Sequence, residues 1–331
     1  MGLSDFTSIF SRSFVIGFFL PAYVSLVALW LFASSDFTPN ALEEYSQATE
    51  LLILGAVALV VGLALSGLSY NITRALEGYP LERVATWPIL RHLYRAAIYW
   101  QRRSYDRLLA IRDDTTKPKQ ARSRAARELD KFFPQSREAL LPTSLGNAMR
   151  AFERHSNIRW GLDGVTVWPR IEALLTAEER QAHIDARADL SLFLNGTVGA
   201  FVVGVCLAYD KAVNVPHPAW DWPLYLIPFA LMYGLYSFSL NPALEWGAAV
   251  RASIDLHRLE LYERLGVRKP RSFSDEREIA AKVNKALLFA HPLLPDDLWG
   301  QESDGEGAQV APPRRGLGSW LRRWLAQGGT Q

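Results

Sequence analysis

Four stretches of this chain carry no charged residue, and each is long enough to cross a lipid bilayer. They are Phe14–Phe32, Leu51–Tyr70, Leu190–Tyr209 and Trp222–Leu240. A hydrocarbon core of ~30 Å needs about 20 helical residues at 1.5 Å each. A helix is the natural choice there, because it satisfies its own backbone where no water can. Mean hydropathy over the 331 residues is 0.00, and 21% of residues are charged. The average conceals the pattern, because the charge is confined to the segments between the blocks. The first block is too long for a signal-peptide core, and no small-x-small cleavage site follows it, so it reads as a retained span.

Lysine and arginine set the orientation. Ala33–Glu50 contains neither and carries Asp36, Glu43, Glu44 and Glu50; Asp210–Asp221 contains only Lys211. The other 35 of the 36 basic residues lie in the N-terminus, the long middle segment or the C-terminal region. The positive-inside rule places those three regions in the cytoplasm. Trp30, Tyr209, Trp220 and Trp222 suit an aromatic belt on the opposite side. The expected fold class is an all-α membrane protein with two transmembrane helical hairpins. Residues 1–13 form a cytoplasmic N-terminus, 14–70 the first hairpin, and 71–189 a cytoplasmic helical domain. Residues 190–240 form the second hairpin, 241–300 a cytoplasmic helical region, and 301–331 a flexible tail with a short basic aromatic helix at Trp320–Leu325.

Spans two and three each carry a stripe of small residues. Gly55, Ala58, Gly62 and Ser66 recur three or four apart, and Gly196, Ala200, Gly204 and Ala208 recur four apart. Such stripes let backbones approach closely, within one chain or between subunits. Pro21 and Pro228 are expected to bend spans one and four. The single cysteine, Cys206, lies inside span three, so an intrachain disulfide is impossible.

The middle segment carries 21 basic and 15 acidic residues. The pattern predicts a helix over Leu81–Ile111, with Leu90, Tyr94, Ala97, Ile98, Tyr105 and Leu108 near one face and Arg91, Arg95, Arg102 and Arg103 covering the rest. Two surroundings suit it: the anionic inner leaflet, or neighbouring helices. A helix over Leu145–His155 follows, capped by Thr143 or Ser144. Trp160–Gly164 reads as a turn. Pro169 suits the first turn of a helix ending near Leu175, and Thr176 with Glu179 forms a capping box for a helix running into span three. After span four, Asn241-Pro242 marks a kink or restart, a long helix covers Ala243–Leu265, and Ser274 caps another to Leu288.

Chemistry is sparse. There is no phosphate-binding glycine loop, no nucleophile elbow and no Cys/His spacing for zinc, so no cofactor or metal is expected. His183, Asp185 and Asp189 share a helix in a pattern usual for a solvated face. The densest polar constellation is Asn147, Arg150, Glu153 and Arg154, with Asp163 and Arg170 downstream. Asn147, Arg150 and Arg154 share a helix face at spacings of three and four, which suits a phosphate or lipid headgroup. Glu153, three residues from Arg150, equally suits an internal ion-pair network.

The run Leu145–Glu153, then Trp160–Gly164, then Trp168-Pro169-Arg170, together with Glu77-Gly78-Tyr79, resembles a group of uncharacterised bacterial multi-pass membrane proteins. The resemblance covers both hairpins and the core of the middle segment. It implies a location in the bacterial inner membrane and carries no activity with it.

Three functions are open at this point. The first is a membrane scaffold or effector whose cytoplasmic domain binds a protein partner or signals, with self-association through its membrane helices. The second is a channel or transporter assembled from subunits, for which Asn195 and Thr197 are the only polar candidates along a path. The third is a membrane enzyme acting on lipid headgroups through the Asn147–Arg170 cluster. The absence of catalytic clusters favours the first. A net charge of +2 gives no reason to expect a nucleic-acid partner.

Overall fold

The computed structural model describes residues 10–32, 47–84, 87–214 and 225–289. All regular structure among them is helical. Twelve helices follow in order: α1 Arg12–Phe32, α2 Gln47–Leu76, α3 Tyr79–Val84, α4 Pro88–Asp113, α5 Lys119–Phe132, α6 Ser144–Glu153, α7 His155–Trp160, α8 Gly164–Leu174, α9 Ala177–Asn214, α10 Ile227–Phe238, α11 Leu240–Arg264 and α12 Phe273–Leu288. Three of them, α1, α2 and α9, are long and apolar enough to cross a membrane. Their outward faces carry large apolar side chains such as Val24, Leu52, Val60, Leu63 and Phe201. A soluble protein would bury such a surface.

Of the fourth apolar block residues 225–240 are described, and their helix α10 is 12 residues long. That is about 18 Å of helix. Pro228 sits in its first turn, where a missing N–H costs nothing, so it starts the helix and bends nothing. The break that Asn241-Pro242 predicted falls at Ser239, between α10 and α11. Residues 301–331, including the basic aromatic tail, lie outside the described residues, as do Trp220 and Trp222.

The apolar helices pack in the order α2, α1, α9, α10, with α1 between α2 and α9. Both small-residue stripes face neighbours within the chain. A side chain at Gly62 would press on the backbone of Phe18 and Phe19 in α1; side chains at Gly196 and Gly204 would press on Leu235 and Phe229 of α10. Ala58 is fully buried and Ala200 nearly so, whereas Ser66 is exposed. Gly55 has only the Tyr23 ring at its margin, and Ala208 is half-buried.

Helix α1 begins α-helical and passes through a π-helical stretch, Val15–Phe19, just before Pro21. Pro21 lacks the N–H that the carbonyl of Gly17 would accept in a regular helix. Asn195 of α9 supplies a donor in its place: its Nδ2 donates to Gly17 O at 2.7 Å, in a buried position. Thr197 donates to Phe193 O on its own helix. Both polar candidates for a path in span three are therefore engaged inside the protein. Replacing Asn195 with alanine is expected to cost about 1.5 kcal/mol, seen as a lower apparent Tm. The loss should shrink in a Pro21→Ala background, where the helix recovers its own donor. Equal losses in both backgrounds would break this account.

The capping box holds. Thr176 N donates to Glu179 Oε2 at 2.9 Å and Glu179 N donates to Thr176 Oγ1 at 3.2 Å, starting a single helix of 38 residues. At about 57 Å it outruns any bilayer core. Its apolar half packs on α1 and α10, and its polar half joins the polar helices in a core built from Leu145, Phe152, Ile171, Leu190, Ile254, Leu261, Tyr262 and Ile279 among others, against which Leu76 and Tyr236 also pack. The middle segment and the C-terminal region thus share a core with the base of α9. A smaller cluster, Ile98, Tyr105, Leu129 and Leu140, joins α4 to α5.

Three boundaries differ from expectation. The predicted Leu81–Ile111 helix is two helices, α3 and α4. Helix α8 starts at Gly164, with Asp163 at its N-cap, so Pro169 lies inside the helix; its neighbour one turn back, Val165, is exposed, where solvent can take the freed carbonyl. Ser272, two residues before Ser274, is the N-cap of α12, accepting from Asp275 N at 3.2 Å.

Candidate functional site

The polar constellation predicted around α6 meets a second group that the sequence did not flag, at the end of α2. Helix α2 ends at Leu76. The chain then turns through Glu77 and Gly78 into α3, with Gly78 at φ 93°. Only glycine adopts that conformation without strain. A β-carbon at Gly78 would also lie 2.7 Å from Pro142 Cγ. Thr143, the N-cap of α6, donates from Oγ1 to Glu77 O at 2.6 Å and accepts from Gly146 N at 3.0 Å. The foot of α2 is thereby pinned on the first turn of α6.

Around this joint sit Arg74, Glu77, Tyr79, Arg150 and Glu153. Arg74 Nη1 lies 3.0 Å from Glu77 Oε2, and its Nη2 lies 3.9 Å from Glu153 Oε1. The guanidiniums of Arg74 and Arg150 lie 4.6 and 5.3 Å from the centre of the Tyr79 ring. Both approaches are within cation–π range. Arg150 donates to Tyr79 Oη at 3.1 Å and to Ala139 O at 2.7 Å. Arg74 therefore faces both carboxyls, while Arg150 shares the Tyr79 side chain with it and has both guanidinium ends engaged.

Glu77 is 1% exposed. Burial pushes its carboxyl up to about 7, with Arg74 pulling the other way. Burial likewise raises Glu153, against the pull of Arg74 and Arg150, and Asp163 adds to the rise. A group titrating near neutrality can hold or release a proton in the physiological range.

The remaining predicted residues separate. Asn147 is fully buried. It accepts from Leu141 N at 2.7 Å and donates to Leu141 O and Gln101 Oε1, both at 3.0 Å, so it braces a loop and α4. Arg154 is exposed at the end of α6. Asp163 accepts from the Thr166 hydroxyl at the start of α8, and its N–H donates to Asn284. Arg170 donates to Thr166 O at 2.9 Å. Only Arg150 and Glu153 of the predicted set meet in the joint.

Two other polar groupings were invisible in the sequence. Trp160 Nε1 donates to Asp255 Oδ1 at 2.5 Å, Arg258 lies 3.6 Å from the Trp160 ring centre, and Arg258 Nε donates to Glu276 at 2.8 Å. These contacts tie the Trp160-Gly161 turn to α11 and α12. Elsewhere, His183 Nε2 meets Ser253 Oγ at 2.8 Å. That pair has the spacing of a base and a nucleophile. Its third member is missing among the described residues, because His183 Nδ1 has no partner; both residues are buried, and His183 packs edge-on against Trp168. Asp185 accepts from Gln181 instead, and Asp189 is exposed. Among the described residues no group of three His, Cys, Asp or Glu side chains can hold a metal ion. No protein-family model, curated protein or solved structure matches the chain, so its function has to be read from its own residues.

Proposed function

We propose that this chain is an integral membrane scaffold or effector of the bacterial inner membrane, with a cytoplasmic helical domain that binds a protein partner or signals. In this reading α1, α2, α9 and the block containing α10 make four spans in two hairpins. Both termini, the 71–189 segment and the region after residue 240 lie in the cytoplasm. The bundle self-associates or stands alone, and lipid covers its outward apolar face.

One observation carries the reading: the apolar bundle and the polar domain are locked together. Helix α9 runs unbroken from one to the other, and the foot of α2 is bonded to the start of α6. A displacement on either side is therefore transmitted to the other, as an effector anchored in a membrane requires. The polar candidates for a transport path, Asn195 and Thr197, are committed to internal bonds. The candidate headgroup ligand Arg150 is committed as well.

Reporter fusions test the topology: those at residues 40 and 217 should report the outside, and one at residue 116 the inside. Purified protein in liposomes should pass no ions and release no lipid headgroup. A photo-cross-linker at Leu256, 74% exposed on α11, should capture a single cytoplasmic protein reproducibly. Ion flux or headgroup turnover would overturn the scaffold reading in favour of a pore or an enzyme.

A further inference from the structure

Helix α4 has two apolar faces, and the fold uses only one. Ile98 and Tyr105 face α5 and are buried. At 100° per residue, Leu93, Ala96, Ala97 and Trp100 fall on a different arc. Leu93 is 58% exposed and Trp100 62%, with Tyr99 at the flank 55% exposed. Arg103 borders this arc and Arg107 falls on it, and both are exposed. The helix holds six arginines against two aspartates. Arg95, Arg102, Arg103 and Arg137 line a cleft of about 520 Å³ beside Tyr99. Arg137 is neutralised by Asp106 at 3.0 Å, whereas Arg95 and Arg102 form no ion pair among the described residues. Arg103 donates to Tyr99 Oη at 3.2 Å and lies 5.9 Å from the Trp100 ring centre.

The fold also fixes where α4 runs. Its start is tied to the end of α2 through the six residues of α3. Its middle is tied to the same level by Gln101, which donates to Ser144 Oγ at 3.1 Å and accepts from Asn147. Ser144 adjoins Thr143, bonded to Glu77 O at the foot of α2, and Leu145, whose N–H donates to Tyr236 Oη in α10 at 3.4 Å. Pro88 and Gln101 are about 20 Å apart along the helix. Gln101 is therefore held near the level where the apolar helices end, and α4 passes that level at mid-length.

We propose that α4 is an interfacial helix whose Leu93–Trp100 face docks on the anionic phospholipid surface around the bundle, with Arg103 and Arg107 taking lipid phosphates. Apolar and aromatic side chains enter the boundary between headgroups and chains, and arginines beside them gain the negative surface potential. The inference rests on the topology proposed above, which puts this end of α2 at the inner leaflet.

The test uses the full chain in nanodiscs, with Cys206→Ser as background. Nitroxide labels are placed through Leu93→Cys and Ala96→Cys, with Arg124→Cys on α5 as a water-exposed control. Relaxation by oxygen and by a water-soluble nickel chelate reports depth. With one-third phosphatidylglycerol, labels at 93 and 96 should favour oxygen, as headgroup-level sites do, and the label at 124 should favour nickel. In pure phosphatidylcholine, or with Arg103 and Arg107 both changed to Gln, the docked-to-undocked ratio should fall about fivefold per arginine lost. Nickel access at 93 and 96 in anionic lipid would overturn the proposal. So would shielding from both reagents whatever the lipid, which marks a protein partner on this face. A reporter at residue 116 found outside would instead defeat the topology, so the two failures are distinguishable.

Discussion

Gly146→Ala is expected to lower the apparent Tm more than any other single-methyl change in the chain. A β-carbon there would lie 2.2 Å from Glu77 O and 2.9 Å from both Leu141 Cδ1 and Thr143 Oγ1. The nearest atom is backbone and cannot rotate away. Either the first turn of α6 moves off the foot of α2, breaking the Thr143–Glu77 hydrogen bond, or α2 is displaced in its packing. Alanine favours a helix over glycine by up to about 1 kcal/mol, so propensity alone predicts stabilisation. The clash outweighs it, for a net loss of about 3 kcal/mol. Gly67→Ala is the matched control: it adds the same methyl to α2 with nothing within 4 Å and should be neutral or slightly stabilising. Thermal unfolding of the two purified variants in one detergent checks this. Equal Tm values would mean that the joint between α2 and α6 is not closed as described.

What the sequence revealed follows from how local each signal is. The apolar blocks were legible because lipid excludes charge from every position of a span. The Thr176–Glu179 box and the Thr143 cap were legible because both partners lie within four residues. The joint was not. Arg74, Glu77 and Tyr79 lie more than 70 residues from Arg150 and Glu153, and nothing local in Glu-Gly-Tyr announces an ion-pair network. Gly78 was the usable signal: a glycine two residues past the end of a long apolar helix marks a turn, and a turn with charges on both sides has to satisfy them. Asn195 misled for a related reason. It reads as a path residue because a polar group in a span suggests transport, yet its partner carbonyl is 178 residues away on α1. Small-residue stripes located two interfaces without saying which helix fills each.

Arg74→Met should destabilise the protein strongly, and more so as the pH rises. Arg74 is the cation in contact with both Glu77 and Glu153, and both carboxyls are pushed upward by burial. Removing one partner of a buried pair costs about 3–5 kcal/mol, because the other charge is stranded. The pH dependence follows from Glu77. Its folded value, about 7, lies above the ~4.3 of an unfolded glutamate. A raised carboxyl binds more protons folded than unfolded, so its favourable contribution is complete below the unfolded value and is lost as pH climbs through the folded one. Wild-type stability should therefore fall between about pH 4.3 and 7 through this group, and Glu77→Gln should flatten that slope. Without Arg74, only the more distant Arg150 opposes the burial of Glu77 and its value rises further, so the loss continues into more alkaline solution. The Tm gap between wild type and Arg74→Met should widen from pH 5 to pH 8, and the double variant Arg74→Met/Glu77→Gln should recover part of it. A gap that stays constant with pH, or a double variant no better than Arg74→Met alone, would show that Glu77 carries no buried charge at this joint.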